Sequence, residues 1–203
     1  MPGDADSAAR HINNRGEVFG TSGKHAFLWT ADTGMIDLGT LDEISSSNQP
    51  TAINDRGQVV GVSINALSQA RGFLWTADTG MIDLGILGQI GPTSFSGARA
   101  INDRGHVVGR SFIAPPGGPV HTFLWTADTG MIDLGTLGGS TSVTAINDRG
   151  DAVGTSATAS GDLHAFVWTA ETGMIDLGTL GADGSSHAGG SNELGQVVGA
   201  SSF

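Results

Sequence analysis

The thirteen residues Phe27–Gly39, FLWTADTGMIDLG, recur unchanged at 73–85 and 123–135 and return as FVWTAETGMIDLG at 166–178. A catalytic centre is needed once, so four copies of one string describe architecture before chemistry. A second string accompanies each copy: HINNRGEVFGTS from His11, AINDRGQVVGVS from Ala52, AINDRGHVVGRS from Ala100 and AINDRGDAVGTS from Ala145, with a weaker GSNELGQVVGAS from Gly190. Its asparagines, Asn13, Asn54, Asn102, Asn147 and Asn192, stand 41, 48, 45 and 45 residues apart. The chain, 1–203, therefore reads as a single repeat domain, with repeats at about 11–51, 52–99, 100–144 and 145–189 and a half repeat at 190–203.

Both strings have the pattern of β-hairpins. In AINDRGQVVGVS two apolar runs flank Asn-Asp-Arg-Gly, where Asn and Asp accept local backbone hydrogen bonds and Gly supplies positive φ. In FLWTADTGMIDLG the turn is Thr-Ala-Asp-Thr-Gly, and Phe27 and Trp29 alternate with Leu28 and Thr30, the period of two that marks strands. No stretch offers the Leu, Ala, Glu and Lys content of a helix. With 33 glycines and no collagen triplet, the chain is expected to be all-β. Four antiparallel strands, A to D, in ~45 residues is the size of one propeller blade. Five A–B hairpins and four C–D hairpins predict a β-propeller of four-stranded antiparallel blades, five-bladed with an incomplete fifth blade. The alternative is four blades plus a surplus hairpin. Phe, Trp, Ile and Leu of the repeated strands are expected to pack blade on blade, with Trp29, Trp75, Trp125 and Trp168 equivalent and buried.

Charge narrows the partners. The net charge is −11, and of nine basic residues only Lys24 is a lysine. A nucleic-acid binder needs a basic stripe and an anionic membrane needs a basic patch, so neither is an expected partner. The absence of cysteine excludes disulfides and thiolate chemistry. Residues 1–10 have neither the basic nor the apolar region of a signal peptide, and no apolar run approaches the ~20 residues of a membrane-spanning helix.

An antiparallel meander puts the A–B and C–D turns at one end of each blade and the B–C and D–A connections at the other. The first end carries the repeated NDRG and TADTG turns. The second carries what differs between copies, including 41–50, 64–70, 86–97, 112–120 and 157–163. Binding tends to sit on variable loops held by a rigid scaffold, so this second end is the candidate face. Phe95, Phe112 and Ile113 are large apolar residues in its Gly- and Pro-rich loops. They belong either to a satellite core or to a ligand groove. Arg110 stands where other copies have Val62 and Thr155, and His187 lies in the last D–A connection. His121 and His164 open strand C, as does His25, with Arg71 breaking the series. Ser22, Ser63, Ser111 and Ser156 end strand B, while Asp37, Asp83, Asp133 and Asp176 approach on strand D. A Ser-His-Asp set that recurs in several blades, without a nucleophile elbow, argues against a hydrolytic triad. Those aspartates are expected to accept backbone N–H groups after each DLG, and the histidines to cap strand C. The sequence calls for no metal and no cofactor.

The joint recurrence of AIN..G.VVG and FLW....GMIDLG resembles the HAF repeat family, named for a His-Ala-Phe triplet that stands here at His25-Ala26-Phe27 and His164-Ala165-Phe166. The second copy reads Arg71-Gly72-Phe73 and the third His121-Thr122-Phe123. The resemblance implies a β-propeller in an extracellular or surface setting and implies no activity.

The expected function is therefore a non-enzymatic binding propeller that recognises a carbohydrate or protein through the B–C and D–A loops. An enzyme using an end-face pocket, supported by His121, His164, His187, Arg110 and Asp133 on one face, is the alternative, and a purely structural repeat is a third. The unpaired edge of the half blade is expected to be covered by residues 1–10 or by a second copy of the chain.

Overall fold

A computed structural model describes residues 6–42, 47–65, 67–91, 94–114, 118–181 and 184–202. Among them are eighteen strands and no helix. The first sheet holds β1 (Ser7–Ile12), β2 (Val18–Ser22), β3 (His25–Thr30) and β4 (Gly34–Asp37). The second holds β5 (Ser47–Ile53), β6 (Val59–Ile64), β7 (Ala70–Thr76) and β8 (Gly80–Asp83). The third holds β9 (Ser96–Ile101), β10 (Val107–Phe112), β11 (Val120–Thr126) and β12 (Gly130–Asp133). The fourth holds β13 (Gly138–Ile146), β14 (Ala152–Thr158), β15 (Leu163–Thr169) and β16 (Gly173–Asp176). Only β17 (Ser186–Ser191) and β18 (Val197–Ser201) make up the fifth. Every sheet is an antiparallel meander in sequence order. The first strands of successive sheets touch one another, β1 on β5, β5 on β9, β9 on β13 and β13 on β17, so they form the hub. This is the β-propeller expected from the repeat, with its fifth blade reduced to two strands.

The turn chemistry explains each A–B hairpin. The Oδ1 of Asn54 accepts the backbone N–H groups of Arg56 and Gln58, and Gly57 takes a φ of 73° that closes the turn. The same asparagine donates through Nδ2 to the carbonyl of Asn102 in the next blade, at 2.9 Å. Asn13 donates likewise to Asn54, Asn102 to Asn147 and Asn147 to Asn192. Residue 14 and its equivalents form a parallel ladder: the N–H of Asn14 meets the Asp55 carboxylate, that of Asp55 meets Asp103, that of Asp103 meets Asp148, and that of Asp148 meets Glu193. Asn14 pulls the Asp55 carboxyl below the ordinary carboxylate value through side-chain and backbone hydrogen bonds.

Apolar packing follows a fixed polarity. One face of each blade carries Phe and Trp of strand C and the first Val of strand B, and it meets the preceding blade. Val59, Phe73 and Trp75 thus pack on Phe19, Leu28 and Leu38 of the first sheet. The other face carries the second Val and the Leu of strand C, as Val60 and Leu74 meet Val107 and Phe123. Strand A reaches further toward its N-terminus than Ala52, where the repeated string begins, because each A strand contains a β-bulge that lets its upstream half rejoin strand B. The glycine of each VVG accepts this arrangement. A Cβ on Gly109 would strike the Gly97 carbonyl and the Phe123 ring, and one on Gly61 the Gln49 carbonyl and the Phe73 ring.

Two expectations need correction. The four tryptophans are not equivalent: Trp75 is 7% exposed, Trp125 and Trp168 are half-buried, and Trp29 is 40% exposed. Its Phe-Trp face is the one that meets a preceding blade, and among the described residues no core cluster forms on that face of the first blade. Residues 7–12 of the N-terminal segment do not cover the edge of β18, because the Asn13 turn folds them back as β1 on β2. Within the described residues β18 pairs with β17 alone.

The ladder makes a specific demand. Asn102 is buried and holds both its own turn and the next blade, whereas Asn192 is exposed and its Nδ2 bonds only Gln196. Asn102→Asp removes the donor and sets a carboxylate against the Asn147 carbonyl, at an expected cost of roughly 2–4 kcal/mol. Asn192→Asp should cost less than ~1 kcal/mol, as surface changes do. Urea denaturation of the two variants measures the difference.

Candidate functional site

At the variable end, strands C and D are joined at their rim by a histidine or arginine and a carboxylate in all four complete blades. The Nδ1–H of His25 donates to Asp37 at 3.0 Å, that of His121 to Asp133 at 2.7 Å, and that of His164 to Asp176 at 2.8 Å, since an ionised carboxylate only accepts. In the second blade Arg71 takes the same place and pairs with Asp83 at 2.9 Å. The other carboxylate oxygen receives the backbone N–H two residues on, at Gly39, Gly85, Gly135 and Gly178. The aspartates thus have the expected role after each DLG, and each histidine is tied to one of them. Burial alone would push the Asp176 carboxyl up, yet the hydrogen bonds from His164 and Gly178 hold it below the usual 3.8.

The serines of strand B do another job. Ser111 Oγ accepts the N–H of Leu87 from the preceding D–A connection and donates to the Phe95 carbonyl, and Ser156 Oγ accepts from Leu137. Both are fully buried staples between blades, and neither hydroxyl contacts a histidine. Ser96 and Ser186, at the start of strand A, add a second staple: each accepts an N–H of the preceding blade's strand C and donates to the carbonyl that follows its DL. These serines are joints and not poised nucleophiles.

Phe95, Phe112 and Ile113 come together. The two rings pack at 5.6 Å with planes inclined 59°, the Phe112 N–H donates to the Phe95 carbonyl, and Ile113 donates to Pro119. A Cβ on Gly88 would meet the Ile113 backbone, so the 86–97 and 112–120 connections touch. Residues 92, 93 and 115–117 of these connections, and 43–46 and 66 of two others, lie outside the described residues. Arg110 is exposed on β10, opposite Gly97 and two residues before Phe112. His187 stands apart, on β17 beside Thr155 Oγ1 at 3.3 Å. It lines a hollow of about 360 Å³ between the fourth and fifth blades with Leu177, Leu180 and Ser186. His121 and His164 belong to separate blades and do not converge with it.

A larger hollow, about 690 Å³, lies at the opposite end, between the first two blades. Trp29, Trp75, Arg15, Glu17, Arg56 and Gln58 line it. The sequence does not single out this end, because its turns repeat and the exposure of Trp29 comes from its place in the first blade. His106 also lies toward this end. Its Nδ1 is buried and without a partner, and burial followed by the charge of Arg104 holds the imidazole below its ordinary value.

No family model matches the chain and no curated protein does. Solved structures match in fold. TolB from Acinetobacter baumannii superposes with a TM-score of 0.57 at 11% identity, covering 91% of this chain and 48% of that one. A protein assigned as TolB from Agrobacterium tumefaciens gives 0.62 at 8% identity, over 91% and 69%. The fucose-recognising six-bladed lectin from Aleuria aurantia gives 0.41 at 12% identity, over 86% and 64%. The chain spans about half the length of the first of these.

The lowered Asp176 carboxyl fixes a pH window. A folded value below 3.8 means that the pair stabilises the fold in full above that value, and the contribution is lost as pH falls through the folded value. Asp176→Asn should therefore melt below wild type at pH ~5, and the interval should shrink below pH ~4. Thermal melts across pH 2–7, an acid-to-neutral span of about five units, check both limbs.

Proposed function

We propose that the chain is a non-enzymatic binding propeller that engages a carbohydrate or protein partner through the B–C and D–A connections. The observation that carries the reading is the packed contact between the 86–97 and 112–120 connections. Phe95 against Phe112, Ile113 against Gly88 and the Leu87–Ser111 hydrogen bond hold an irregular surface in place. A preorganised loop surface loses little entropy on binding, which is the general requirement for recognition by loops on a scaffold. Arg110 stands exposed beside this surface and supplies a charged contact absent from the other copies. Around it the rim histidines and Arg71 are already committed to carboxylates, so they shape the rim more than they act as bases. The HAF-like triplets at 25–27 and 164–166 belong to this rim, and the resemblance they carry implies a surface setting.

The test uses an array of immobilised glycans beside a pull-down with the intact chain as bait. Replacing residues 113–119 by Asn-Gly should leave the melting midpoint within a few degrees of wild type and remove the binding found with wild type. Arg110→Ala should weaken that binding by on the order of tenfold, the scale of one charged hydrogen bond. The reading fails if binding survives both changes and is lost instead with Arg56→Ala at the opposite end.

A further inference from the structure

The bulge in each A strand places one extra residue between two registers that pair with strand B. The extra residues are Arg10, Thr51, Arg99, Thr144 and Gly189. A bulge re-aims its side chain and withdraws it from the ladder. Because the A strands form the hub, three of these residues from successive blades line one hollow. Arg10 of β1, Thr51 of β5 and Arg99 of β9 enclose about 250 Å³, with His11, Thr21 and Gln49 completing the wall. No carboxylate is among the lining residues. In a chain of net charge −11 this is an unusual concentration of positive charge. Arg15, Arg71 and Arg149 each reach a carboxylate, whereas neither Arg10 nor Arg99 makes an ion pair among the described residues.

We infer that this hub hollow is a binding site for a small oxyanion, a phosphate or a compact polycarboxylate, held between Arg10 and Arg99. Guanidinium groups offer paired donors in a plane that matches two oxygens of either anion. His11 is fixed in the wall by stacking on Phe19, with ring centroids 5.4 Å apart and planes 20° apart, and adds an imidazole donor. Thr51 is not free to bind: its hydroxyl is shared between the Val60 and Ala98 carbonyls. It acts as a spacer that keeps the first and third blades' arginines on either side of one opening. The volume admits a small anion and not a polymer. The site is separate from the variable rim and does not depend on the rim reading.

Inorganic phosphate and citrate are the two probes, each compared with chloride at equal ionic strength and measured by thermal shift and calorimetry. One of the two should raise the wild-type midpoint, by roughly 5–10 °C at a hundredfold excess over its Kd. Phosphate alone points to a phosphorylated ligand, and citrate alone to a carboxylate. Arg10→Ala and Arg99→Ala should each abolish the shift, and Arg99→Lys should retain a reduced one because a point charge replaces the fork. At low ionic strength without either probe, both alanine variants should melt no lower than wild type, since they remove one of two unpaired like charges. Arg110→Ala should keep the full shift, which separates this site from the rim. An equal response of wild type and both alanine variants, or no response to either anion at millimolar concentration, overturns the assignment.

Discussion

Everything in this architecture hangs on what an asparagine carboxamide does at the base of each blade. Its oxygen saturates two N–H groups of its own turn, as Asn147 does for Arg149 and Asp151. Its nitrogen passes one hydrogen bond across to the next blade. A side chain with a single function could close the turn or join the blades, but not both. A buried carboxamide left half-satisfied would be costly, so each turn is stable chiefly in the presence of its neighbour. Local folding and blade stacking are thereby one event. The neighbouring ladder of Asp55, Asp103, Asp148 and Glu193 uses part of the chain's negative charge to accept backbone donors.

That ladder lies near the hub, and steric fit carries order outward. The VVG glycine gives room at once to a carbonyl of the bulged A strand and to the edge of the strand C phenylalanine. Phe73, Phe123 and Phe166 are consequently among the largest fully buried side chains. Serines then fasten three of the D–A connections to the following blade. These three devices account for most of the repeated letters without any appeal to a ligand. Repetition is thus a poor guide to a binding site here, and departures from it are a better one.

How far the letters revealed the structure follows from how local each cause is. The hairpins, their turn residues and the sorting of connections to two ends were legible, because Asn, Gly and alternating apolar residues act within a few positions. The half blade was legible by counting hairpins. The exposure of Trp29 was not, because it depends on whether a blade lies against that face, a property of place in the array. Nor was the bulge. An extra residue such as Thr51 leaves the apolar alternation of Ala52 and Ile53 intact, so strand A seemed to begin late and the channel-facing position went unnoticed. At the rim, Phe95 and Phe112 were recognisable as large apolar residues in loops, yet their contact with each other required coordinates. His121 and His164 were visible as a recurring type, and only the pairing with Asp133 and Asp176 gives them a shared structural task.

A repeat that stacks by one rule places equivalent positions on arcs around the hub. Where all copies agree, the arc is uniform and serves the scaffold, as the rim pairs at 25–37, 71–83, 121–133 and 164–176 do even when Arg replaces His. Where copies differ at a position that the scaffold does not constrain, the arc becomes asymmetric and can distinguish one direction or one ligand from another. Two positions meet that condition. The first is the strand B residue that is Thr21, Val62, Arg110, Thr155 and Ala200. The second is the bulge residue that is Arg10, Thr51, Arg99, Thr144 and Gly189. Neither lies at a glycine, serine or asparagine joint, so each is free to vary without loosening a blade. The bulge position has the further property of lining the hub hollow, where Arg10 and Arg99 from different blades share one wall. An array under no demand at the hub would have no reason to keep two arginines there without an ion pair among the described residues, when Thr51 at the same place in the second blade satisfies its hydroxyl and carries no charge.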